Sequence, residues 1–204
     1  MTGAPDAEDA WWTEVEAALA IGDRVVNTAD EFNAGCDHIV QLLHDSSTLL
    51  ERGSAGTAVF LAIAAFEEIT KVHVGMYRGK TEPVSRRKNP LYRHHLKHMI
   101  GAAPTIAMSE RITKAIGEAA TEKLMGLARS GKLVVLRESA LYFERRDGRL
   151  QTPAKVVDAT FARTLLLFVL EAFDDALVGY TNHSTDLGRT ADDMFLKWAN
   201  DTND

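Results

Sequence analysis

The segment "NPLYRHHLKH", residues 89–98, gathers Arg93, His94, His95, Lys97 and His98 into six consecutive positions. These side chains suit phosphate chemistry. A guanidinium holds an anion through several donors, and an imidazole moves a proton near neutral pH. Asn89 followed by Pro90 reads as an N-cap with proline at the first helical position. At ~100° per residue and with Arg93 at 0°, Lys97 falls at about 40°, His94 at about 100° and His98 at about 140°. By the same count, Tyr92, Leu96, Met99 and Ile100 occupy about 240–340°, and His95 lies at the boundary. The basic groups thus share one face of an amphipathic helix, and the other face can anchor it. A solvated first turn would give the same pattern. A metal site fits less well: the chain has no Glu-x-x-His, Asp-x-x-His or His-Glu-x-x-His motif and no cysteine pair. Arg93 and Lys97 beside His94 and His98 would also repel a cation, so no metal or cofactor is expected.

Two other places carry groups of interest. In "AFEEITK", residues 65–71, Glu68 follows Ala65 by three and Leu61 by seven positions, and so borders the buried side of a helix. Lys71 stands at i+3 from Glu68 and i+4 from Glu67, both suited to ion pairing. The pair either closes the helix as a salt bridge or supplies a partly buried carboxylate that orients Arg93 or a histidine in a cleft. Both charges are expected to be less exposed than average. In "LRESALY", residues 136–142, Arg137 and Tyr142 can help to hold an anion, although such residues are commonly structural.

The charge distribution favours an anionic partner. From Tyr77 to His98 there are seven basic residues (Arg78, Lys80, Arg86, Arg87, Lys88, Arg93 and Lys97) against Glu82 alone. That stretch carries +6 in a chain of net −6, which leaves −12 elsewhere. Such a stripe can hold a phosphate backbone while the acidic remainder suppresses non-specific binding. It can equally be an exposed loop that answers an acidic patch. A single cysteine, Cys36, excludes an intramolecular disulfide and fits a reducing compartment. The start "MTGAPDAEDAWW" is acidic and lacks the apolar run of a secretion signal. The longest apolar runs fall short of the ~20 residues of a membrane span. A cytoplasmic, soluble protein is expected.

The elements that must position these groups read as helices. Apolar spacing near 3.6 marks residues 11–31 and 34–52. Residues 55–77 begin "AGTAVFLAIAAF", apolar on nearly every side, which marks a central buried helix. Ala58, Ala62 and Ala65 on one side of it would let a neighbour approach closely. A Gly, Pro, Lys and Arg-rich loop at 78–88 leads to the basic helix. Further helices are expected at 106–129 and from Pro153 onward, with a short helix and the turn "RRDGR" between them. The reading is a single all-α domain over residues 1–204, a bundle of about six or seven helices. Residues 183–204 are read as a polar C-terminal tail.

The order "GSAGTAVFLAIAAFEEITK", "YRHHLKH", "LRESALYFERRDGRLQTP" resembles the AbiV-like abortive-infection proteins, a branch of the HEPN superfamily of helical domains. The likeness runs over about residues 30–180. Its most specific parts are Glu67, Glu68 and Lys71, then His94 and Lys97. Many HEPN domains are metal-independent endoribonucleases with an Arg-x(4–6)-His motif, and Arg93 to His98 has that spacing. The resemblance implies a phage-defence ribonuclease in which His98 or His94 withdraws the ribose 2′-OH proton. Arg93 and Lys97 would stabilise the phosphorane, Glu68 would orient them, and Lys71, Arg86, Arg87 and Lys88 would hold RNA. The Arg-x(4)-His and His-x-x-Lys patterns overlap here, so His94 and His98 both stand as candidates. The second implied class is a non-catalytic HEPN module that binds RNA, a nucleotide or a protein partner. Expected partners are RNA, a second copy of the chain in a homodimer, and a phage-encoded activator or antitoxin protein. The dimer interface is expected on the last long helix, through Phe161, Leu165, Phe168 and Val169.

Overall fold

The computed structural model describes residues 7–22, 24–79 and 84–200. Lys80 and Glu82 of the basic stretch and residues 201–204 of the expected tail lie outside them. Among the described residues there are eleven α-helices: α1 Ala7–Ala20, α2 Ala29–Glu51, α3 Ala55–Tyr77, α4 His94–Gly101, α5 Pro104–Met108, α6 Glu110–Ile116, α7 Glu118–Arg129, α8 Lys132–Leu141, α9 Pro153–Val156, α10 Ala159–Leu177 and α11 Asn182–Asn200. The architecture is all-α. A small antiparallel hairpin, β1 Glu144–Arg146 and β2 Arg149–Gln151, pairs Arg145 with Leu150.

The expectation of six or seven helices is too low, for identifiable local reasons. The expected helix at 106–129 is divided at Ser109, whose backbone is extended, and at Gly117, whose φ of 84° is open to glycine. The helix opened by Pro153 stops at Val157. Asp158 then caps α10 by accepting a hydrogen bond from the Phe161 amide at 2.7 Å. The expected helix at 11–31 ends at Ala20, and α2 starts afresh from the Thr28 cap.

The helix α3 matches its expected bounds and forms the axis of the molecule. It packs on α2 and α10 along its length, and on α4 and α8 at the side that carries the functional groups. Ala58, Ala62, Ala65 and Phe66 are buried, as the all-round apolar sequence requires. At Gly56 an added Cβ would lie 2.6 Å from the Ala140 carbonyl oxygen, so glycine there lets the end of α8 close on α3. Phe168, Val169 and Leu170 of α10 are wholly buried against this core. Each such side chain contributes about 1.5–3 kcal/mol relative to exposure.

Two expectations are corrected by this packing. Leu165, Phe168 and Val169 belong to the core, so α10 cannot offer them to a second subunit. The exposed large apolar side chains include Val135 on α8, Tyr142 and Phe143 between α8 and the hairpin, and Leu150 on β2. Residues 182–200 are not a polar tail. They form the amphipathic α11, which buries Ala191, Met194, Phe195 and Trp198. The Trp198 indole donates to Ser47 Oγ at 2.8 Å, and Arg163 Nε donates to the Trp198 carbonyl at 2.6 Å. Among the described residues no helix is long and apolar enough to cross a membrane.

Candidate functional site: a basic cleft around a buried glutamate

The site is built where α3 meets α4. Asn89 caps a 3-10 turn at Pro90–Tyr92 by accepting from the Leu91 amide at 3.1 Å. Arg93 is extended, with φ −101° and ψ 114°, so the α-helix begins only at His94. Leu91, Leu96 and Ile100 anchor the segment. Thr70 Oγ1 of α3 donates to the Lys97 carbonyl at 3.0 Å and fixes the height of α4 against α3.

Glu67 is the hub, with only 4% of its surface exposed. Its Oε2 accepts from Lys97 Nζ at 2.6 Å and from His94 Nδ1 at 2.7 Å, and its Oε1 accepts from His98 Nε2 at 3.0 Å. Arg137 Nε of α8 lies 3.7 Å from Oε1. Its guanidinium carbon sits 4.6 Å above the Phe60 ring, and Nη1 donates to Glu138 at 2.8 Å. Burial pushes the Glu67 carboxyl up. The hydrogen bonds from His98, Lys97 and His94 and the Lys97 charge outweigh that and hold it at about 2.

The two histidines are therefore different objects. His98 is fully buried and stacks on Phe66 at 6.2 Å between centroids. Burial drives its pKa below 6.5, against the Glu67 hydrogen bond and charge. A neutral ring that donates through Nε2 leaves Nδ1 as a bare acceptor, and no partner among the described residues meets that atom. His94 is about half exposed. A carboxylate accepts only, so His94 donates through Nδ1, and its Nε2 lone pair is left for another proton.

Beside this hub lies an open cleft of about 550 Å³, lined in part by Lys71, Arg86, Arg87, His94, Lys97 and Arg137. Five cationic side chains face two carboxylates, Glu67 and Glu68. Lys71, Arg86, Arg87, Lys97 and Arg137 against these two carboxylates sum to +3, a setting for an anion. The Arg86 guanidinium is held 4.6 Å over the Tyr92 ring.

The structure brings Lys71, Arg86, Arg87, His94 and Lys97 together as the sequence implied. Glu68 and Lys71 form an ion pair on the cleft wall, each about a quarter exposed, as expected. Three expectations are corrected. The carboxylate that bonds His94, Lys97 and His98 is Glu67, not Glu68. Arg93 is exposed, precedes α4 and does not line the cleft. His98 lies behind Glu67 in the core, so Arg93 and His98 do not converge. Lys88 is exposed outside the cleft lining, and Tyr142 is exposed on the far side of α8. A signal for Glu67 was present: at ~100° per residue it shares a face with Ile63, Thr70 and Val74, all buried. Arg137 is a cleft residue that spacing alone marked only weakly.

Among the described residues no group of three or more His, Cys, Asp or Glu can hold a metal ion. The ammonium of Lys97 is the cation at Glu67. Fold and site thus define an all-α domain with a small, anion-attracting interhelical cleft. The family model for the AbiV HEPN domain, described as AbiV, matches residues 31–171. That span holds every residue of the cleft. The chain belongs to the AbiV family of abortive-infection HEPN-domain proteins. No curated protein and no solved structure matches it.

Proposed function

We propose that the protein is a phage-defence endoribonuclease that cleaves RNA without a metal, with His94 as its proton-transfer group. The observation that carries this reading is the Glu67–His94 hydrogen bond at 2.7 Å, which engages Nδ1 and leaves Nε2 without a hydrogen bond among the described residues, on a ring that lines a basic cleft. The ribose 2′-oxygen attacks phosphorus as its proton passes to His94 Nε2. The bond from phosphorus to the 5′-oxygen breaks, and that oxygen takes a proton from water or from a second copy of the site. The products are a 2′,3′-cyclic phosphate and a 5′-hydroxyl. Lys97 and Arg137, held by Glu67, and Arg86 and Arg87 at the rim stabilise the charge gathering on the phosphorane. Positioning and proton transfer of this kind are worth about 10²–10⁴-fold in rate for the base alone.

A second reading has its own support. One chain supplies one histidine to the cleft, since His98 is buried and Arg93 lies outside. The cleft then binds RNA, a nucleotide or an acidic segment of a phage-encoded activator or antitoxin, and acts by sequestration. A homodimer bears on the choice because it doubles the histidines and the positive charge. Val135 on α8, the helix that carries Arg137, and Tyr142 and Phe143 just past its C-terminus are the apolar surface proposed for it.

Purified protein is incubated with total RNA in EDTA, wild type beside His94→Ala and beside Arg93→Ala/His98→Ala. Cleavage lost in His94→Ala supports the enzyme reading. RNA bound but intact with the wild type moves the assignment to sequestration. Light scattering of wild type and Phe143→Glu tests the dimer: a 22.4 kDa monomer for the wild type would remove it.

A further inference from the structure

We propose that a second site, on another face of α3 from the basic cleft, binds a small, mostly apolar molecule that carries a protonated amine. A cavity of about 260 Å³ lies between α1, α3, α5 and α10, with Trp11, Leu19, Ile69, Ile106, Ala172 and Ala176 among its walls. Taking ~100° per residue along α3, Ile69, His73 and Tyr77 face this cavity while Glu67, Glu68 and Lys71 face the cleft. The two sites share α3 as a wall but have no lining residue in common, and the cavity is lined by no lysine or arginine.

The polar groups of the cavity define its ligand. Most are already engaged. The Trp11 indole donates to the Ile100 carbonyl at 2.9 Å, and Thr70 Oγ1 donates to the Lys97 carbonyl at 3.0 Å. The Tyr77 and Tyr180 hydroxyls bond to each other, and Thr105 Oγ1 donates to Asp175 Oδ2 at 2.6 Å. Two groups remain. The His73 ring makes no hydrogen bond among the described residues, and burial pushes its pKa down against the pull of Asp175, so it is neutral. Asp175, exposed at the rim, has no ion-pair partner among the described residues. A carboxylate at the mouth of an apolar cavity rejects anions and attracts an ammonium. The apolar walls disfavour a hydrated metal ion, and the aromatic rings of Trp11 and Tyr77 favour an organic cation. The volume falls just below the ~300 Å³ at which drug-sized pockets begin. One ring with a short aminoalkyl chain is the scale that fits.

The probes are 2-phenylethylamine, its neutral analogue 2-phenylethanol and the anionic 3-phenylpropionate, followed on the full chain by saturation-transfer NMR and calorimetry. The amine is expected to bind saturably, about fivefold tighter than the alcohol, as befits a rim ion pair, with the acid weakest. Asp175→Asn keeps an oxygen for Thr105 and is expected to bring amine and alcohol within about twofold of each other. Ala176→Leu fills the cavity and is expected to abolish both, and Leu19→Phe does the same from α1 if that variant does not fold. Absence of saturable amine binding at millimolar concentration overturns the proposal. So does an amine preference that survives Asp175→Asn, or binding that survives both filling variants.

Discussion

Replacing Glu67 by Gln removes one charge from the centre of the site while keeping its shape. Glu67 is 4% exposed, and the Lys97 and His98 side chains that it holds are 7% and 0% exposed. The variant leaves the Lys97 ammonium buried beside a neutral amide. Breaking a buried pair from one side costs ~3–5 kcal/mol. The titration gives a similar figure: the carboxyl ionises at about 2 in the fold against an ordinary 4.5, a gap of about 3 kcal/mol. For a depressed carboxyl this stability is fully present above pH 4.5 and is lost as pH falls from 4.5 towards 2. Urea unfolding of wild type and Glu67→Gln is therefore expected to differ by about 3 kcal/mol at pH 7. For a chain of this size that is a fall in Tm of about 6–12 °C. The difference should shrink as pH is lowered through that window. Glu68→Gln, at a partly exposed ion pair, is expected to change stability by less than about 1 kcal/mol. A Glu67→Gln protein as stable as wild type at pH 7, or a larger loss from Glu68→Gln, would refute the buried-hub argument.

Nitrogen-15 NMR of the imidazoles is expected to show His98 protonated at Nε2 and bare at Nδ1, and neutral His94 protonated at Nδ1; the reverse pairing would contradict the hydrogen bonds at Glu67. Arg111 joins α6 to Glu171 of α10 and Asp192 of α11 and lies 4.3 Å from the Phe195 ring centroid. Arg111→Met leaves buried Glu171 without that partner, and a loss of about 2–3 kcal/mol in urea unfolding is expected, tempered by the partial exposure of Arg111. Arg86→Ala/Arg87→Ala is expected to weaken RNA binding across sequences and to lower the slope of log K against log salt by about 1–2, read by fluorescence anisotropy; an unchanged slope would remove these arginines from the RNA path.

The sequence carried the central helix well. The run "GTAVFLAIAAF" leaves no side for water, and α3 spans the expected residues. The same all-round apolarity hid the phase of the helix, because Ala65 and Leu61 do not mark one buried stripe. Phase becomes legible only past Phe66, where Ile69, Thr70 and Val74 are buried and select Glu67 over its neighbour. At the basic segment, Pro90 begins a 3-10 turn rather than the α-helix, which put Arg93 outside the helical count. Lys97 and His98 then turn inward, because a buried carboxylate on another element offers them a partner. No local pattern on α4 encodes that partner. The C-terminal segment reads as a tail because its apolar residues are sparse, although Leu187, Ala191, Met194 and Trp198 recur at helical spacing and form α11. The breaks at Ser109, Gly117 and Asp158 depend on capping geometry that periodicity averages away.

The central claim is that His94 Nε2, oriented by Glu67, takes the proton of an RNA 2′-hydroxyl in a cleft that needs no metal. Its most direct test uses a short RNA that the wild type cuts in EDTA, compared with the same oligonucleotide carrying one 2′-deoxy sugar at the cut position. The account expects cleavage of the first to a 2′,3′-cyclic phosphate and a 5′-hydroxyl, no cleavage at the deoxy position, and a loss of about 10²–10⁴-fold in His94→Ala. Cutting at the deoxy position, or undiminished cutting by His94→Ala, would contradict it.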